Sequence, residues 1–323
     1  MKKNIIISLL SISFLGNSCT SDFLDVQPQS SLTTAVFYTT ENDFDQAIAA
    51  AYNQLQGIYD NGNQYQQIVE GRSDDETAFN YWVLEYGKFL DTDFSNGVSW
   101  IWSSFFKTIA TTNAVITEIE GKDLANKERV LGEAHFIRGL CYMELARFFG
   151  GVPLYDGRRS TDEYKTIPRS TLEETYSFIY ADLNTAITNL PASYDGSDIG
   201  RATSGAAKGF LARAYLYNND YTNCLATCNS ITGYQFFTDW SQIFNEDNDN
   251  GPQALFQLQY TSGGIGEGSA LQTNLMEANA RVVNGRTMQY SGSSLVPVVS
   301  NDFINSFEPG DSRFDLSLAL TNE

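Results

Sequence analysis

Histidine occurs once in 323 residues, at His135. That scarcity argues against an imidazole metal site, and any Ser-His-Asp arrangement would have to use a residue set inside a helix of apolar periodicity. The chain also lacks the G-x-S-x-G, H-E-x-x-H and P-loop patterns. Basic residues are few: 20 Lys and Arg stand against 39 Asp and Glu, for a net charge of −19. Such a chain repels phosphate backbones, anionic membrane surfaces and sulfated or carboxylated polymers, which argues against nucleic acid as a partner. Neutral ligands carry no such penalty, and solubility alone accounts for the charge equally well. No apolar run is long enough to span a bilayer. The longest, Ile5 to Leu15, covers about eleven residues where a spanning helix needs about twenty.

Cysteine is scarce too, with four residues at 19, 141, 224 and 228. Lys2 and Lys3, the apolar run, and then Gly16-Asn17-Ser18 read as a secretory signal peptide over 1–18. Cys19 directly after the small residues resembles the lipobox of bacterial lipoproteins, although Gly16 stands where a Leu is usual. Cys19 is therefore the expected lipidation site, opening a tether over 19–39. Three cysteines then remain, an odd number that argues against a disulfide framework in an exported protein. Cys224 and Cys228 fall at i,i+4 on an expected helix and are read as buried packing thiols.

What the chain has in quantity is aromatic and helix-periodic residues. Tyr and Phe number 18 and 21, more than a plain helical bundle needs, so some rings are expected at the surface. Thr40 is read as an N-cap, with Glu41 and Asp43 in the first turn and Phe44, Ile48, Ala51, Leu55 and Tyr59 at helical spacing. A polar, aromatic loop is expected over about 61–97. Helices follow near 100–120 and over 127–149, the second stopped by Gly150-Gly151 and Pro153. Ser170 and Glu173 fit a capping box before the next helix, whose face carries Leu172, Tyr176, Ile179, Leu183, Ile187 and Leu190. Two further helices, about 204–218 and 221–231, read as a tetratricopeptide-like hairpin with Ala212 and Ala214 as the small residues that let helices approach. Beyond 232 the chain turns to loops and short strands such as "ALFQLQY" at 254–260, with more helix near 270–279.

The stretches "FLDVQPQSSLT", "FYTTENDFDQAIAAAYNQL", "RVLGEAHFIRGLCYMELARFFGGVPLY", "RSTLEETYSFIYADLNTAITNLP", "RATSGAAKGFLARAYLYNNDYTNCLATC" and "FEPGDSRFDLSL" follow in an order that resembles the SusD/RagB family over almost the whole mature chain. The resemblance implies an all-α fold of tetratricopeptide-like repeats with long inserted loops and a few short strands. It implies a lipid-anchored, surface-exposed outer-membrane protein that binds oligosaccharide and serves as lid to a SusC-like TonB-dependent transporter. No catalytic residue, cofactor or metal is expected. On this reading 40–231 is the N-terminal helical-repeat region, and 232–323 is a loop-rich, truncated start of the C-terminal region.

A neutral sugar is caught by stacking its C–H face on rings while amides, carboxylates and Arg hydrogen-bond its hydroxyls. Trp82, Tyr81 and Asn80, with Asp75 and Arg72 nearby, are the first candidates, and the resemblance implies that this N-terminal loop contributes to the sugar surface. Trp82 plugging the core beneath the loop is the competing expectation. Tyr260 and Tyr290, flanking a Gly-rich stretch, are candidates for a second contact loop. Trp100, Trp102 and Trp240 are read as core. "NEDNDNG" at 245–251 departs from a calcium loop, with Glu246 first and Gln257 twelfth, and is read as a solvated acidic loop. A secreted all-helical glycoside hydrolase and a helical-repeat adaptor gripping a protein partner are the two alternatives.

Overall fold

The computed structural model describes residues 37–60, 64–73, 76–78, 85–261, 268, 297–299 and 301–314. Its frame is all-α. The elements are α1 (Glu41–Asp60), α2 (Gln64–Glu70), β1 (Glu76–Ala78), α3 (Asn96–Ile119), α4 (Lys127–Phe149), α5 (Thr161–Tyr164), α6 (Leu172–Asn189), α7 (Ser204–Tyr217), α8 (Tyr221–Asn229), β2 (Pro297–Val299) and α9 (Asn301–Ser306). No helix among the described residues is long and apolar enough to cross a membrane.

Central to the array is α4, with α3, α6 and α1 packed around it. Its sequence fits that position, because residues on every side of it are buried, from Val130 and Ala134 to Met143 and Leu145. Each fully buried Leu, Ile or Phe contributes roughly 1.5–3 kcal/mol of transfer free energy. The small residues set the spacing: a Cβ added at Gly139 would sit 3.1 Å from Leu183 Cγ, and one at Gly132 would sit 2.8 Å from Leu190 Cγ. Glycine thus lets α6 approach α4 closely. The helix stops at Gly150, whose φ of 74° suits glycine and whose N–H donates to Ala146 O at 2.9 Å.

Two buried polar clusters tie the helices together. In the first, Arg138 of α4 donates twice to the Asp182 carboxylate of α6, at 2.8 and 2.6 Å. It also donates to Asn113 Oδ1 of α3 at 2.6 Å and to Asp156 O at 3.0 Å. His135 Nδ1 stands 2.7 Å from the same carboxylate. In the second, the buried Glu133 accepts from Arg129 at 2.6 Å and from Arg201 at 3.1 and 3.3 Å. Arg129 reaches on to Asp45 of α1, so α1, α4 and the entry to α7 share one charge cluster.

The end of the array is the α7–α8 hairpin, turned at Asn219 with φ of 59° and capped by Asp220, whose carboxylate accepts from Asn223 N at 3.1 Å. Here the structure corrects two expectations. Cys224 is half-buried and Cys228 exposed, and α8 has no buried residue. Periodicity marks the two faces of a hairpin helix but does not say which is covered. Cys141, in the centre of α4, is buried as expected. Trp240 is 50% exposed, not core; it opens a short 3-10 turn (Trp240–Phe244), with the Arg313 guanidinium 6.0 Å from its ring. Trp100 and Trp102 are half-buried against the main core.

Smaller corrections concern boundaries. The capping box of α6 uses Thr171 and Glu174, one residue later than expected, because Ser170 N is engaged by Val152 O at 3.2 Å. Leu172 is consequently exposed. The expected loop at 61–97 contains α2 and β1, and β1 pairs antiparallel with β2. Residues 254–260 form no strand; they run as a loop segment over α1 and α7.

Candidate functional site

Three structural pieces meet at the C-terminal end of α1. The first is α1's own last turn, which offers Tyr59 and Asp60. α2 returns across it: Gln66 donates to Tyr59 O at 2.5 Å, and the Tyr65 ring meets Tyr59 edge-on at 4.7 Å. The third is the segment 248–260, two hundred residues away in sequence. Gln56 Nε2 donates to Gln259 O, and Tyr260 OH donates to Gln56 O at 3.2 Å, pinning this segment to α1.

Between these pieces lies a cleft of about 420 Å³ lined by Tyr59, Asp60, Gln66, Asp249, Gln257, Leu258, Gln259 and Tyr260. Amides dominate its polar lining. Gln259 and Asn250 exchange reciprocal side-chain hydrogen bonds at 2.9 and 3.0 Å, and Gln257 Oε1 accepts from Asn250 N at 2.6 Å. Burial, with the Asp60 carboxylate beside it, pushes the Tyr260 phenol up to about 12, so it stays a neutral hydroxyl across the physiological range. Among the described residues no Lys or Arg lines this cleft. A second cleft of about 490 Å³ continues along α1 past Tyr52, Asn53 and Gln56, sharing Gln257, Leu258 and Gln259 with the first and reaching Arg201. The pair of clefts offers amide and hydroxyl donors, carbonyl and carboxylate acceptors, and the three rings of Tyr52, Tyr59 and Tyr260, a set suited to hydroxylated ligands.

Of the residues singled out from sequence, Tyr260 takes part in this cleft. Arg72 lies just beyond α2, where its guanidinium pairs with Asp91 at 2.5 Å and stands 5.9 Å from the Phe89 ring. Asp75, Asn80, Tyr81, Trp82, Tyr290 and Cys19 lie outside the described residues. Ala78, the last residue of β1, pairs with Pro297, the first of β2.

Sequence reading missed a set of exposed rings that follows the first candidate loop. Phe89, Leu90 and Phe94 are 69, 65 and 87% exposed. Their loop is anchored at its base. Buried Tyr86 accepts from Gly97 N at 3.0 Å, Thr92 N donates to Ser95 Oγ at 2.9 Å, and Asp91 holds Arg72. Phe89 has a left-handed φ of 55°, uncommon outside glycine, which a rigid loop must hold in place. A one-dimensional pattern does not reveal exposure, so nothing in the sequence marks this patch.

His135 is engaged with Asp182 and Arg138, and among the described residues no hydroxyl or thiol is hydrogen-bonded to it. Among the described residues no group of three or more His, Cys, Asp or Glu is arranged to hold a metal ion. Within the acidic stretch 245–251, Asn245 Oδ1 accepts from Asp247 N at 3.1 Å and Asn248 donates to Gln242 O at 2.9 Å, a self-bonded turn.

Comparison with known proteins adds independent findings. The profile of a family described as "Starch-binding associating with outer membrane" matches residues 22–216. A SusD-like protein of Bacteroides ovatus is 28% identical over 281 residues, covering 80% of this chain and 50% of its own length. One of Formosa agariphila is 24% identical over 267 residues, covering 76% and 50%. The chain spans about half the length of these curated relatives. Among solved structures, one determined with xylogluco-oligosaccharide is 26% identical with a TM-score of 0.65, covering 82% of this chain and 55% of that one. A SusD-like protein from Bacteroides fragilis is 25% identical with a TM-score of 0.64, covering 74% and 47%. A laminarin-binding SusD-like protein, 21% identical with a TM-score of 0.75 over 86% and 66%, shares the fold.

Proposed function

The chain belongs to the SusD-like family, and from that premise we propose that it captures oligosaccharide at the cell surface and passes it to a TonB-dependent transporter of the outer membrane. The observation that carries the reading is the amide- and tyrosine-lined cleft around Tyr260, with no basic side chain among its described lining residues and a fit to a neutral, hydroxyl-rich ligand. The solved relative determined with xylogluco-oligosaccharide supports the ligand class. Sugar rings stack on Trp82 and Tyr81, with Asn80, Asp75 and Arg72 bonding hydroxyls, while Tyr260 and Tyr290 supply the second contact. The exposed Phe89 and Phe94 extend the aromatic surface beside Arg72. An acyl chain on Cys19 tethers the protein to the outer membrane, and the helical array closes over the transporter as its lid. The protein performs no chemistry on its ligand.

Affinity electrophoresis through gels containing neutral polysaccharide tests the capture step, with retardation expected. Trp82→Ala should weaken binding by about 1–3 kcal/mol, the range of a truncated aromatic hot spot. Unchanged affinity in a folded variant removes Trp82 from the site. Incubation with oligosaccharide should release no new reducing ends; their appearance would make the protein a glycoside hydrolase. Lack of retardation together with co-purification of a protein partner would favour the adaptor reading.

A further inference from the structure

Cys224 and Cys228 take no part in the function proposed above, and the structure leaves them at the surface. They lie four residues apart on α8, which has no buried residue, with Cys224 half-buried and Cys228 exposed. Residues at i,i+4 on a helix face each other with Cβ atoms about 5–6 Å apart. A disulfide between them would need Cβ atoms about 3.5–4.5 Å apart, which a regular helix does not allow. What the pair can do without distorting α8 is share one cation. Metal–thiolate bonds of about 2.3 Å let a single ion bridge sulfurs roughly 4–5 Å apart.

We propose that Cys224 and Cys228 form a two-thiolate site for a soft, closed-shell cation of the copper(I) class. Thiolate ligands select soft ions. Two ligands suffice for copper(I), whereas structural zinc needs four. Nothing nearby supplies more: Asp220 is a hard oxygen donor already bonded to Asn223 N at 3.1 Å and Asn223 Nδ2 at 2.6 Å, and no larger ligand group occurs among the described residues. In the binding step two S–H bonds lose their protons to solvent and two S–Cu bonds form. Copper remains copper(I), so no oxidant or reductant is consumed.

The test uses the reduced full chain with Cys19→Ser as background, so that the N-terminal thiol cannot chelate. Copper(I) is titrated anaerobically against a chromophoric copper(I) chelator, and thiol reagent reports which cysteines are shielded. The expected result is one ion per chain with two thiols protected. C224S and C228S should each weaken binding by about a hundredfold or more, with little change in melting temperature because Cys228 is exposed and Cys224 only half-buried. Affinity should also rise with pH, up to about a hundredfold per unit, as two protons are released. Two ions per chain with a full equivalent kept by each single variant would overturn the proposal. So would undiminished binding in the double variant, or no binding by the parent chain.

Discussion

Asp182 is buried to 3% exposure, yet two side chains depend on it: Arg138 twice over, and His135. Its removal would strand a guanidinium that is itself only 4% exposed and whose other partners, Asn113 Oδ1 and Asp156 O, are neutral. Asp182→Ala should therefore destabilise the fold by about 3–5 kcal/mol, the usual cost of breaking a buried pair by removing one partner. Urea unfolding measures it, and a loss under 1 kcal/mol would mean that the cluster is not closed to water. Sequence made part of this site legible. The place of His135 in a helix of apolar periodicity points to a structural role. The carboxylate that joins it to Arg138 is 47 residues from His135 and carries no local mark. Trp240 and the α8 thiols were misjudged for a related reason. Residue type predicts burial only where something arrives to cover it.

At the scale of single helices, starts are governed by short-range chemistry, and most were readable. Thr40 and Asp43 close the N-terminus of α1 reciprocally. The Asp43 carboxylate accepts from Thr40 N at 2.6 Å, Thr40 Oγ1 at 2.8 Å and Thr39 Oγ1 at 2.9 Å, while Asp43 N donates back to Thr40 Oγ1 at 3.3 Å. These bonds, the Thr40 side chain first, hold the Asp43 carboxyl at about 2 against an ordinary 3.8. A depressed folded value means that the cap's contribution is complete above the ordinary value and drains away as pH falls toward 2. Asp43→Asn should therefore be less stable than the parent at pH 5–7, and the two should converge by pH 2. Melting temperatures across that range check it; a constant gap down to pH 2 would contradict the assignment. The box on α6 was misplaced by one residue because "STLEE" satisfies the pattern in two registers, and only the tie between Ser170 N and Val152 O selects the second. Segment 254–260 had the composition of a strand but found helices instead of a strand partner, so its residues serve as cleft lining.

For the whole molecule, charge decides which ligands can approach. Arg72, Arg129, Arg138, Arg147, Arg158, Arg159, Lys165, Arg201 and Arg313 are each held by a carboxylate of the protein, so much of the small basic complement is spent internally. The excess of 39 acidic over 20 basic residues then faces outward as a negative field. This property was fully legible in the sequence. The position of the cleft was not, since it depends on residues near 59 and 260 meeting on α1. Together the two give a test of the neutral-glycan reading that does not depend on knowing the sugar. The screening length is about 30 Å at 0.01 M salt and about 8 Å at 0.15 M. A neutral oligosaccharide held by amides and rings should bind with the same affinity, within about twofold, at both concentrations, because no counterions are released. A carboxylated or sulfated polysaccharide should bind weakly at low salt and gain affinity as screening relieves the repulsion. Isothermal titration at the two salts distinguishes them. An anionic glycan that binds more tightly at 0.01 M than at 0.15 M would require a basic site and would exclude the Tyr260 cleft as the place of capture.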